Sequence, residues 1–287
     1  SGHQGEGYVG GNSIPCTNSS EKEVVFGGEE KLKDTIDGAL KIMDGDLFVV
    51  LTGCTAEIVG DDVEQVISEY RDKGVPIVNA QTGGFIGNNY KGHEIVLQAI
   101  IKQLLESVRP KVKKGLVNVF SVVPFQNTYW RGDLEEIKSL LEKLGLKVNI
   151  LFGYQSKGIE EWLDIPNAEF NLVLSSWVGL DTVKLLKDKY GTPYLHYPVL
   201  PVGAIETSKF LKCVGKFAEI DENKVNEIIN KEEDRFYEYL VGAGDFLTEY
   251  RSVLPCKFYS IADSTYTLGI SKFLVNELGF LPGEQYI

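Results

Sequence analysis

The chain has 287 residues, 43% hydrophobic and 24% charged, a balance that excludes a disordered chain, a collagen or a coiled coil. Its formal net charge is −12, from 41 acidic against 29 basic side chains, so a phosphate backbone is repelled and no nucleic-acid partner is expected. The length is about twice that of a typical domain and is enough to bury a core without disulfides, so two or three domains are expected.

Ser1 to Gly11 is polar and Gly-rich, with neither the basic n-region nor the apolar h-region of a secretion signal. No apolar run approaches the roughly 18 residues of a membrane span, so no membrane partner is expected. Four cysteines, Cys16, Cys54, Cys213 and Cys256, are too few and too scattered for a disulfide scaffold, and they fit a reducing, cytoplasmic setting.

In chain order, Leu47 to Leu51 reads as a fully buried strand. After Gly60-Asp61-Asp62, the residues Val63, Val66, Ile67 and Tyr70 recur at helical spacing. Pro76 to Val78 is the next strand and Glu94 to Val108 an amphipathic helix. Continuous apolar strands alternating with helices predict an α/β fold: tandem Rossmann-like domains with parallel sheets covered by helices on both faces. The basic stretch Pro110 to Gly115 reads as a linker. The alternation then restarts, with Leu116 to Val123 as strand, a helix capped by Asp133, and Val148 to Phe152 as strand. Phe170 to Leu174 (strand), Thr182 to Tyr190 (helix) and Tyr194 to Val199 (extended) follow.

A charged helical stretch runs from Asp221 to about Tyr250, and then one more strand and helix, Lys257 to Ile261 and Thr267 to Leu278. A single strand–helix pair cannot bury both faces of a sheet, so this piece either docks on another domain or is the start of an incomplete one; we expect a fragment of a longer protein. The expected domains are 1–115, 116–245 and 246–287.

The chemistry-bearing segment is Thr52 to Asp62. Cys54 directly follows a strand, at the carboxyl end of the sheet where open α/β sheets place ligands. A nearby helix N-terminus favours the thiolate, the metal-binding and nucleophilic form. The plain alternative is a cysteine filling a small space. Thr82 to Asn89, with Gly83, Gly84 and Gly87, follows the next strand, and its amides suit an anion; the plain alternative is a tight strand-to-helix turn. It is neither a Walker A motif nor a dinucleotide fingerprint, so no nucleotide is expected on this chain. His93 and His196 read as structural, and Asp61 and Asp62 as helix caps.

Glu21 to Gly28 (EKEVVFGG), followed by TGCTAEIVGDD at 52–62, resembles the component 1 family of nitrogenase and its relatives. TYWRGD at 128–133, PNA at 166–168, FNLVLSSW at 170–177, PVG at 201–203 and TSKFL at 207–211 continue the likeness, with the Ser-Ser-Trp stretch closer to the β-type subunit. The resemblance implies a nitrogenase-like, iron–sulfur-dependent oxidoreductase subunit. Cys54 would be a ligand of an iron–sulfur cluster shared with a homologous component 1 subunit, as homo- or hetero-oligomer, and an ATP-hydrolysing Fe–S reductase would supply electrons. It implies that the glycine turn sets backbone near the cluster. Ser175 stands where the α-type subunit of nitrogenase has a cysteine for its catalytic metal cofactor, so that cofactor is not expected here; the catalytic residues are not assigned. Further cluster cysteines of the β-type have no counterpart: Glu6, in His3-Gln4-Gly5-Glu6, stands where one would be, and Cys16 falls on no ligand position. Two alternatives remain open, a non-catalytic metal-cofactor scaffold of the same family and an α/β small-ligand-binding protein with an inert Cys54. The substrate, whether dinitrogen, a tetrapyrrole or a sulfur compound, is not specified.

Overall fold

The computed structural model describes residues 14–244, 248–249 and 257–287. It is an α/β protein with three parallel sheets flanked by helices.

Two helices, α1 (Glu21–Phe26) and α2 (Glu29–Ile42), lead into strand β1 (Phe48–Leu51). Helices α3 (Cys54–Val59) and α4 (Val63–Arg71) form the crossover to β2 (Ile77–Ala80), and α5 (Asn89–Gln103) follows. β1 and β2 pair in parallel, Phe48 opposite Ile77 and Leu51 opposite Ala80. α4 starts as its sequence dictates: the Asp62 side chain accepts from the Gln65 amide at 2.9 Å. Its Val63, Val66, Ile67 and Tyr70 then pack with Ile36 and Ile77. The expected full burial of Leu47 to Leu51 is not found. Val49 and Leu51 are 36% and 57% exposed, because β1 is an edge strand whose second face no described helix covers, whereas α5 packs on β2. α5 starts five residues earlier than expected, with the Asn88 side chain accepting from the Lys91 amide. Its buried apolar residues are Leu97, Ala99, Ile100 and Ile101.

The second sheet is built from β3 (Lys113–Phe120), α6 (Trp130–Lys143), β4 (Lys147–Asn149), α7 (Ile159–Asp164), β5 (Ala168–Val173), α8 (Leu180–Tyr190) and β6 (Tyr194–His196). Its order is β4-β3-β5-β6, all parallel. Apolar side chains alternate to both faces, and each face has its own core, one around Leu141, Phe170, Leu172 and Phe210, the other around Leu105, Phe120, Val173 and Val183. β3 begins at Lys113, inside the stretch read as a linker, because its first residues extend along β5 from Ala168. α6 starts at Trp130, so Asp133 lies in its first turn and is no cap. β4 is shorter than the 148–152 expected. Inside the sheet three buried asparagines form a ladder across β4, β3 and β5. Asn149 Nδ2 donates to Asn118 Oδ1 at 2.9 Å and Asn118 Nδ2 to Asn171 Oδ1 at 2.8 Å, while Asn171 Nδ2 is left without a partner.

Glu94 of α5 joins the two sheets. It is almost wholly buried, and its carboxylate accepts from the Thr182 amide at 3.0 Å, at the start of α8. Tyr190 at the other end of α8 donates to the Leu105 carbonyl, and Leu97, Ile101 and Leu105 enter the second sheet's core.

Helices α9 (Gly203–Phe217) and α10 (Glu222–Gly242) precede the third sheet, β7 (Lys257–Ile261), α11 (Ser264–Asn276) and β8 (Leu281–Tyr286). β8, parallel to β7, lies beyond the single strand and helix expected here; its Pro282 is tolerated because it lies on an edge strand. This piece docks on the second sheet. The Glu277 carboxylate accepts from the Ala204 and Ile205 amides at 3.0 and 3.2 Å, capping α9. Tyr266 donates to Asp133, Asn127 Nδ2 donates to Asp263 at 3.0 Å, and Lys272 pairs with the buried Glu206 at 3.0 Å. Gly269 fits because a Cβ there would stand 2.6 Å from the Leu200 carbonyl oxygen. Burial holds the Asp133 carboxyl above the usual carboxylate range, with the like charge of Asp263 adding to the rise against the Tyr266 hydrogen bond. Among the described residues no helix is long and apolar enough to cross a membrane.

Candidate functional site

Cys54 is the first residue of α3, three residues beyond β1 and at the carboxyl edge of the first sheet, and its side chain is exposed. The loop after β2 arrives beside it. The Gly84 amide donates to Cys54 Sγ at 3.1 Å, and a Cβ on Gly84 would stand 3.3 Å from that sulfur. The preceding amide, Gly83, donates to Glu57 Oε1 at 2.7 Å. The anion expected for this glycine turn is therefore already present at Gly83: it is the protein's own Glu57 carboxylate. Thr52 completes the network, donating from Oγ1 to Glu57 Oε1 at 2.5 Å and accepting from the Thr82 amide at 3.1 Å. Gly87 lies apart from this network, where a Cβ would meet Lys91 Cβ at 2.9 Å in the first turn of α5.

The VFGG and GDD segments prove to be one contact. The Gly28 amide donates to Asp61 Oδ1 at 2.9 Å, and a Cβ on Gly28 would be 2.9 Å from Asp61 Oδ2, so only glycine lets the carboxylate approach. Asp61 therefore caps the α2 end of VFGG, and only Asp62 caps α4. In return Glu29 accepts from the Asp62 amide at 3.2 Å. Large apolar side chains on these same segments face outward: Val25 and Phe26 on α1, Ile58 on α3, Phe85 and Ile86 in the glycine loop, with Phe26 and Phe85 81% and 75% exposed.

The remaining candidates lie elsewhere. His93 packs against Phe152 with ring centroids 5.5 Å apart, and burial pushes its imidazole down to about 4. His196 Nε2 lies 2.8 Å from the Ser175 carbonyl oxygen. Ser175 is buried, and its hydroxyl donates to the Val178 carbonyl. It borders a cavity of about 310 Å³ where the paths leaving β3 and β5 diverge, shared with Ser121, Asn127 and Trp177. Cys16 is exposed, with the Asn18 amide 3.4 Å from its sulfur, and Cys213 is half-buried within α9. Cys256 and the stretch His3 to Glu6 fall outside the described residues. Among the described residues no three or more His, Cys, Asp or Glu side chains converge as a metal site. Sequence reasoning missed Glu57 and Glu94; a carboxylate facing a glycine-rich or helix-opening segment is a signal only once the pairing is known.

A cysteine and a glycine loop at the carboxyl edge of one parallel sheet, with further parallel sheets downstream, define a tandem Rossmann-like α/β protein. The model of the nitrogenase component 1 type oxidoreductases matches residues 3–282, and the chain belongs to that family. It is 26% identical over 277 residues to one of the subunits of the light-independent protochlorophyllide reductase of Angiopteris evecta, covering 90% of this chain and 52% of that protein. It is 29% identical over 237 residues to the nitrogenase molybdenum-iron protein alpha chain of Methanosarcina barkeri, covering 79% and 42%. Against the corresponding beta chain of Azotobacter vinelandii it is 27% identical over 296 residues, covering 94% and 54%. The chain thus spans about half the length of the curated relatives it matches. The fold is shared with the solved structures of nitrogenase Cp1 at pH 6.5 and pH 5, with TM-scores of 0.69 and 0.70 at 22% and 21% identity. These overlays cover 94% and 93% of this chain and 51% and 52% of those chains.

Proposed function

We propose that the chain is a subunit of a nitrogenase-like oxidoreductase and that Cys54 is its thiolate ligand to an iron–sulfur cluster shared with a homologous subunit. The observation that carries the reading is the exposed Cys54 sulfur, presented at a sheet's carboxyl edge by the segment that bears the family likeness. The donor chemistry fits: a soft thiolate suits iron, and its sulfur accepts an amide hydrogen bond from Gly84, as cluster ligands commonly do. One thiolate does not hold a cluster, and on this reading a homologous subunit supplies further ligands across the shared face.

When bound, the cluster stores and passes single electrons at low potential. The chain's residues do the rest. Gly83 and Gly84 bring backbone to the sulfur, Gly87 packs the loop on α5, and the outward apolar side chains of α1, α3 and the loop give the face on which the homologous subunit closes. Electrons come from an ATP-hydrolysing Fe–S reductase. Ser175 offers no thiolate, so the substrate-reducing metal cofactor is not placed on this chain, which fits a β-type role. The chain is proposed to divide into three domains by its sheets, close to the expected 1–115, 116–245 and 246–287, with the first boundary moved to before β3 at Lys113.

The test is iron per chain in the complex purified without oxygen. Cys54→Ala should lose most of its iron, and Cys213→Ala and Cys256→Ala should keep theirs. Equal iron in all three would end the cluster reading. ATP-dependent turnover with the reductase then separates an enzyme from a scaffold of the same family.

A further inference from the structure

We propose that Glu57 is a positioning residue for Cys54: its carboxylate clamps the Thr82–Gly84 turn so that the Gly84 amide is aimed at the cysteine sulfur. The proposal rests on the reading of Cys54 as a metal ligand. Glu57 lies three residues after Cys54 on α3, one turn along the same side, so a single short helix carries both the sulfur and the clamp. The clamp is complete on the loop side. Glu57 Oε1 takes the Gly83 amide at 2.7 Å and the Thr52 hydroxyl at 2.5 Å, Thr52 Oγ1 takes the Thr82 amide at 3.1 Å, and Thr82 Oγ1 donates back to the Thr52 carbonyl at 2.9 Å. Two consecutive amides are thus fixed before the third, on Gly84, reaches Cys54 Sγ at 3.1 Å.

Space confirms the arrangement. A Cβ on Gly83 would stand 2.1 Å from Glu57 Oε2, so the carboxylate occupies the volume that any other residue at 83 would need. An N–H donor on a ligating sulfur withdraws electron density and favours the reduced cluster, one of the levers that set iron–sulfur potentials. Glu57 thereby acts on the sulfur through two backbone amides without touching it.

The experiment compares Glu57→Ala, Glu57→Gln and Gly83→Ala. Glutamine keeps an acceptor oxygen, so Glu57→Gln should behave as wild type. In metal-free protein at alkaline pH, with the thiolate formed, iodoacetamide should alkylate Cys54 several-fold faster in Glu57→Ala, and the Gly84 amide resonance should move. Gly83→Ala, which forces the carboxylate away, should reproduce both effects and serves if Glu57→Ala does not fold. In the loaded complex the cluster potential of Glu57→Ala should fall. A folded Glu57→Ala or Gly83→Ala with wild-type alkylation and an unmoved Gly84 amide overturns the clamp. If those two readouts respond while Cys54→Ala keeps its iron, the clamp stands and the cluster reading fails.

Discussion

The first and second sheets obey the same parallel geometry but are finished differently. The second has four strands and a core on each face, with Phe210, Leu172 and Val173 fully buried. The first has two described strands and one compact core, leaves Val49 and Leu51 in the open, and sets Cys54 at its rim. Apolar burial is therefore concentrated in the second sheet, while the first carries the exposed sulfur on a thinly covered edge.

The sharpest way to break this contrast is a pair of substitutions. Phe210→Ala empties the second core and should cost about 3–5 kcal/mol in urea unfolding, whereas Leu51→Ser on the open face should stay within about 0.5 kcal/mol. Similar losses from both would show that the first sheet is as tightly sealed as the second. A smaller effect is expected at the seam. Glu94→Ala leaves the Thr182 amide without its acceptor and should cost about 1–3 kcal/mol, with faster hydrogen exchange in the first turn of α8. Glu94→Gln, which keeps an acceptor, should recover much of it.

A further effect concerns pH and appears only on acidification. Burial lowers the His93 imidazole from 6.5 to about 4 in the folded chain, so the fold favours the neutral ring. Its contribution is full above about 6.5 and is lost as the pH falls from there through about 4, an effect of about 3 kcal/mol. The difference in urea midpoint between wild type and His93→Gln should shrink from neutral to acid pH; a difference independent of pH would place His93 outside the buried seam.

Much of the second sheet was legible because its strands are apolar runs and its helices have a clear stripe, as with Leu134, Ile137, Leu140 and Leu141 on α6. Asp62 was legible as a cap because the helix it caps follows it directly. Pairings distant in sequence were not. Glu57 meets Gly83, 26 residues on, Asp61 meets Gly28, 33 residues back, and Tyr266 meets Asp133, 133 residues back. In a chain with 41 acidic residues, each such carboxylate reads as one more solvated charge. Val49 and Leu51 failed for the opposite reason: their apolar character is real, but what covers a strand is decided outside the strand.

The asparagine ladder has a consequence for how the second sheet comes together. Its outer members are separated by 31 and 53 residues from the central Asn118, and the two hydrogen bonds run in the same sense, from Asn149 to Asn118 and from Asn118 to Asn171. A strand that docked one residue out of step would turn its amide towards the opposite, apolar core. The misaligned intermediate would carry a bare dipole in an apolar setting, at a cost of about 1–3 kcal/mol per amide. The ladder thus acts as a register mark during assembly, penalising any strand that docks one residue out of step.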